Sequence, residues 1–104
     1  MLSSTIWIYP WDLLDEGLPE VLEAIRTEAG VEALSLATSY HSVEHFRPHL
    51  PGRKYFLARD AALYFQPQRE LYRETVIQPH VSPLVGTSNP LEEIARACEE
   101  RGLR

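Results

Sequence analysis

The residues best equipped for chemistry crowd one stretch, GVEALSLATSYHSVEHFRPH from Gly30 to His49, where Ser39, Tyr40, His41, His45, Arg47 and His49 follow directly on an apolar run. Imidazoles titrate near neutrality, so they serve as general acids, general bases or neutral hydrogen-bonding groups. His41, just past the apolar run, is the first candidate, with the Tyr40 ring beside it and His49 further along. His41, His45 and His49 recur every four residues and on an unbroken helix would share a face, as metal-binding histidines do. Pro48 and the preceding strand oppose such a helix, and no carboxylate or thiolate spacing completes a zinc set. No metal and no cofactor is therefore assigned.

A second group, Tyr9, Trp11 and Asp12, follows the first apolar run. Asp12 and His41 are the two candidates for a catalytic role. Trp11 could desolvate the Asp12 carboxyl or stack on a sugar ring. An Asp in a turn is the plainer reading, and substrate contact suits Asp12 better than catalysis. Arg53 and Lys54, next to Tyr55 and Phe56, could clamp an anionic or hydroxylated ligand over an apolar floor; the competing reading is the solvated basic edge of a hairpin. No Gly-rich phosphate loop, nucleophile elbow or paired CxxC is present.

These side chains need elements to hold them. Thr5-Ile6-Trp7-Ile8-Tyr9 is β-branched and aromatic throughout, which predicts a strand covered on both faces, as in parallel sheets. Pro10 ends it and a loop runs to Gly17. Leu18, Val21, Leu22, Ile25 and Ala29 then repeat at helical spacing, with Pro19 suited to the first turn and Gly30 to the left-handed position after the last. Strand two, Ala33 to Ala37, follows at once, giving a strand–helix–strand crossover. From Thr38 to Asn89 regularity is lost: five of the eight prolines fall there, and the aromatic runs Tyr55-Phe56-Leu57 and Leu63-Tyr64-Phe65 suggest a long insert carrying a hairpin. Ser88 or Asn89 can then cap a helix that starts at Pro90, buries Leu91, Ile94, Ala95 and Cys98, and ends at Gly102. A third strand is due immediately afterwards, at Leu103-Arg104. The organisation is one domain: a first βα unit over 5–30, strand two with its inserted loop over 31–88, and a second helix over 89–102.

Composition narrows the function classes. The chain has 104 residues, 44% apolar and 24% charged, which are ordinary globular values. A net charge of −5 argues against a nucleic-acid binder, which needs a surplus of Lys and Arg. The opening MLSSTIWIYPWD lacks the basic start and long apolar region of a secretory signal, and no run of about 18 apolar residues exists to span a membrane. A cytoplasmic protein with no membrane partner is expected. Cys98 has no second cysteine to pair with and falls on an apolar helix face, where a thiol acts as a small hydrophobe.

Five segments carry a family likeness: TIWIYPWDL, GVEALSLATSYHS, PHLPGRKYF, ALYFQP and NPLEEIARACEERGL. In order and spacing they resemble the N-terminal portion of a (βα)8-barrel glycoside-hydrolase-like protein, of the broad α-amylase type and of an uncharacterised family of glycosyl hydrolases. The likeness covers nearly the whole chain but includes no catalytic motif. It implies an α/β fold, a partial TIM barrel with two βα units and a long hairpin-bearing insert after the second strand. It also implies a carbohydrate or other small-molecule substrate. Such families place their catalytic carboxylates on later strands, and a whole barrel needs about 250 residues, so a fragment that is inactive alone is expected. Exposed strand edges would then favour self-association. The alternative is a stand-alone α+β module, close to ferredoxin-like, that binds a small ligand or a protein. In it the aromatic runs would join strands one and two in a single antiparallel sheet.

Overall fold

The computed structural model describes residues 3–86 and 89–104. The chain is a mixed α and β protein with small sheets, and it divides into two compact units: Met1–Ala37 with Pro90–Arg104, and Thr38–Asn89. Among the described residues no helix is long and apolar enough to cross a membrane.

In the first unit β1 (Thr5–Ile8) pairs in parallel with β2 (Ala33–Leu36), Thr5 opposite Ala33 and Ile8 opposite Leu36. The segment expected as a loop after β1 is helical instead: α1 spans Pro10–Glu16 and buries Pro10, Trp11 and Leu13. Pro10 does not only stop the strand. Its fixed φ also opens a helix, where its missing N–H costs nothing, and Tyr9 O accepts from the N–H groups of Asp12 and Leu13.

Helix α2 (Leu18–Ala24) carries Pro19 in its first turn and widens into a π-helical turn over Ile25–Ala29. Gly30, at φ 66°, ends it in the left-handed conformation that only glycine adopts without a Cβ penalty. Helix α3 (Pro90–Glu100) ends in the same way at Gly102, φ 69°. There Leu103 N–H donates to Cys98 O at 2.9 Å and Gly102 N–H to Glu99 O at 3.1 Å, satisfying carbonyls the helix would otherwise orphan.

Leu13, Leu22, Ile25, Ile94, Cys98 and Leu103 form the buried cluster, and Ile6, Ile8, Leu34 and Leu36 pack against it. Burial pushes the Cys98 thiol pKa up, against a smaller opposite effect of Arg101. Ala95, expected in the stripe, is exposed, and Ala97 packs on the cluster in its place. The stripe of α3 thus runs through Ile94, Ala97 and Cys98. Asn89 does not cap α3 through its side-chain oxygen, which is buried without a hydrogen-bond partner among the described residues; Ser88 lies outside them.

Among the described residues of the first unit, the sheet has helix cover on one face. Residues alternate along a strand, so Ile6, Ile8, Leu34 and Leu36 share the helix side while Thr5, Trp7 and Ser35 share the other. On that other face Thr5 and Ser35 join hydroxyls at 2.8 Å, and Trp7 is 78% exposed. The expectation that β1 is covered on both faces fails here, because an unbroken apolar run also fits a strand with one open face.

Backbone bonds on the two edges of β2 differ. Ala37 N–H donates to Ile8 O, towards β1. Glu32 and Leu34, one step out of phase, face the opposite edge: Arg104 N–H donates to Glu32 O at 3.1 Å, and Leu34 N–H donates to Arg104 O at 2.8 Å. Those two bonds are one rung of a parallel ladder. Arg104 is thus bonded to β2 on the side away from β1, and no strand is assigned after Gly102 among the described residues.

The second unit is built from short strands. β3 (Ser39–Tyr40) pairs antiparallel with β6 (Ala62–Leu63), and β4 (Val43–Phe46) with β5 (Tyr55–Ala58). Tyr55 donates a hydrogen bond to the Glu44 carboxylate across the hairpin, which holds the phenol pKa above its usual value. The expected hairpin therefore exists, formed by only one of the two aromatic runs; of the other only Leu63 lies in a strand, β6. Neither run joins β1 and β2, so the single antiparallel sheet of the ferredoxin-like alternative is not formed among the described residues.

Candidate functional site

Strand β3 places Tyr40 opposite Ala62 of β6, and His41 follows it out of the strand. The two rings lie against each other, centroids 4.2 Å apart and tilted by 31°, and His41 Nδ1 sits within hydrogen-bond distance of Ser42 O. Across from them, Leu63 N–H donates to His80 O at 2.8 Å and Ser82 N–H donates to Leu63 O at 2.9 Å, with Val81 bridged to Leu63 in parallel. This pairing brings His80 beside β6. A 3₁₀ turn over Arg69–Tyr72 leads into a loop that Gln78 closes, its carboxamide donating to the carbonyls of Tyr72 at 2.8 Å and Thr75 at 2.7 Å.

These elements enclose an open cleft of about 630 Å³, with Tyr40, His41, Tyr72, Ile77, Pro79 and His80 among its lining residues. The volume is within the range of about 300–1,000 Å³ usual for small-molecule sites. No Asp, Glu, Lys or Arg lines it. It therefore offers two imidazoles, two phenols and apolar surface, but not the pair of carboxyl groups that glycoside hydrolysis uses. Such a lining suits a neutral ligand with both hydroxyl groups and C–H faces. Beneath the platform, burial raises the pKa of Tyr64, with a hydrogen bond to Ser82 acting in the opposite direction.

Of the residues expected from the sequence, the structure gathers Tyr40 and His41 into this cleft. His49, Arg53 and Lys54 fall in the β4–β5 connection, are exposed, and line neither this cleft nor the one next to it. Their loop is held by its own backbone, Arg53 N–H donating to Leu50 O at 3.3 Å. His45 is on β4, its ring 6.4 Å from that of Phe56. His41, His45 and His49 thus occupy a loop, a strand and a turn and never share a helix face. No group of three His, Cys, Asp or Glu side chains that could hold a metal ion occurs among the described residues.

Tyr9, Trp11 and Asp12 belong to the first unit. Trp11 is only 1% exposed and its ring stacks on Tyr9 at 4.7 Å and 8°. It is a packed side chain with little ring surface open to a ligand. Asp12 sits in the first turn of α1, where a carboxylate complements the partial positive charge of the helix start.

The cleft residues that sequence reading passes over are Tyr72, Ile77, Gln78, Pro79 and His80. His80 is the informative omission. It is the fourth histidine of the chain, far from the other three in sequence, and only the Leu63 pairing reveals that it faces His41's cleft. The run Pro79-His80-Val81 between turn residues is the available signal, a short extended stretch bearing an imidazole. Searches against protein-family models, curated proteins and solved structures find no match to the chain.

Proposed function

We propose that the chain is the opening portion of a carbohydrate-active (βα)8-barrel of the glycoside-hydrolase-like kind, and that residues 38–89 are an excursion after the second strand that contacts sugar. One observation carries the reading: the rung between Arg104 and β2, on the edge opposite β1. On this reading Arg104 opens a third strand beside β2, and it is supported by the packing of α2 and α3 in one cluster against β1 and β2. A barrel is built by repeating that step, helices outside and the other strand face turned inward. The ferredoxin-like alternative has no such adjacency of consecutive parallel strands.

Within this reading Tyr40, His41 and His80 bind and orient substrate, and the catalytic carboxylates belong to later strands. The 104-residue chain binds saccharide without cleaving it, and its open strand edges favour self-association. Sequencing the coding region beyond Arg104 tests the reading: further strand–helix units closed by glycine, with acidic residues at strand ends, are expected. Absence of any continuing βα pattern in every frame overturns it. Incubating the purified chain with malto-oligosaccharides adds a second check, in which no new reducing ends form. The second reading, a stand-alone α+β small-ligand module, is favoured by one fact: the cleft is built entirely from residues 39–80. A monomer that gives no sign of self-association and has no downstream βα sequence would establish that reading instead.

A further inference from the structure

The cleft at Tyr40 and His41 does not stop at His80. A second cleft of about 350 Å³ shares Ala62 and His80 with it and is lined beyond them by Arg59, Asp60, Tyr64, Ser82 and Leu84. The junction is held by backbone: Leu63, next to Ala62, bonds to His80 and to Ser82 on either side of Val81. The His80 imidazole lies 3.9 Å from the Asp60 carboxylate, and both side chains are more than half exposed. Ala62, a small side chain, lines both clefts as well. One imidazole therefore stands between two clefts on a single β platform.

The two halves differ in chemistry. The first presents phenol rings and imidazoles, the second a guanidinium and a carboxylate, Arg59 and Asp60. A single small ligand uses one half; a chain of repeating rings can stack in the first and hydrogen-bond in the second. We infer that the two clefts are one groove that binds a linear oligosaccharide of three or more units across His80. This rests on the carbohydrate reading above and adds the form of the ligand. Once one ring is seated, binding of the next ones is intramolecular, so affinity rises with chain length without any change in the individual contacts.

The test titrates the full chain, followed by its amide NMR signals, with glucose, maltose, maltotriose and maltotetraose, and with the xylose and galacturonic acid series of the same lengths. In at least one series Kd falls about tenfold or more from the monosaccharide to the trisaccharide, the lower end of linkage effects. The monosaccharide moves amides near Tyr40 and Tyr72, and the trisaccharide also moves those of Arg59 and Leu84. Arg59→Ala, a change at an exposed side chain that lines only the second cleft, abolishes the gain with length and leaves monosaccharide affinity within about twofold. Equal affinity for mono- and trisaccharide with Arg59 and Leu84 unmoved, or an undiminished length gain in Arg59→Ala, overturns the extended groove and leaves the carbohydrate reading standing. If no sugar of any series shifts a signal, both fall.

Discussion

The two units bury different things. The first hides Leu13, Leu22, Ile25, Ile94 and Leu103 among three helices and a parallel strand pair, so its order comes from apolar area removed from water. The second buries Ala62, Tyr64 and Val85 together with Arg47 and Ser82, and its sheets are pairs of strands two to four residues long. Arg47 places its guanidinium 5.2 Å from the centre of the Phe56 ring, a cation–π arrangement. A frame built on side-chain volume is stiff and periodic. A platform built on turns, short ladders and buried polar groups has room for open clefts, and the candidate site is on the platform.

That contrast can be broken by mutation, most strongly in the frame. Leu22 is fully buried, so Leu22→Ala should cost about 2–5 kcal/mol, read as a fall in urea stability of the signals from β1, α2 and α3. Gly30→Ala and Gly102→Ala come next. A Cβ at either position meets nothing within 4 Å, leaving only the left-handed backbone to resist it, at about 1–2 kcal/mol each. If either is neutral, the two helix stops are not what fixes entry into β2 and the Arg104 rung.

Smaller effects belong to the platform. Tyr64→Phe deletes the hydroxyl of a buried tyrosine and should change stability by no more than about 1 kcal/mol, with any loss seen as faster exchange of the Leu63 and Ser82 amides. A loss as large as that of Leu22→Ala would erase the distinction between the units. Asp60→Asn should change stability by less than about 0.5 kcal/mol, since the pair it makes with His80 is exposed.

The frame was largely legible in the sequence because its signals are local. The three-and-four spacing around Leu22, Pro19 and Pro90 in first turns, and Gly30 and Gly102 at helix ends each act within a few residues. Where that reading failed, one residue had two uses: Pro10 both ends β1 and opens α1, and Trp11, placed in a loop, is packed instead. The platform was legible only at Tyr40 and His41. His80 reaches the same cleft through pairing of Val81 with Leu63, a contact across many residues that no spacing rule encodes. The histidines at every fourth position, by contrast, gave a pattern without a helix to express it.

The central proposal is that β2 is an inner strand, with β1 on one edge and Arg104 bonded along the other. NMR of the 104-residue chain tests it with an internal control. Slow exchange of the Leu34 amide, together with cross-strand nuclear Overhauser effects from Arg104 to Glu32 and Leu34, is the expected result. A Leu34 amide that exchanges freely and shows no contact to Arg104, while the Ala37 amide bonded to Ile8 stays protected, would contradict the sequential strand order and the barrel reading built on it.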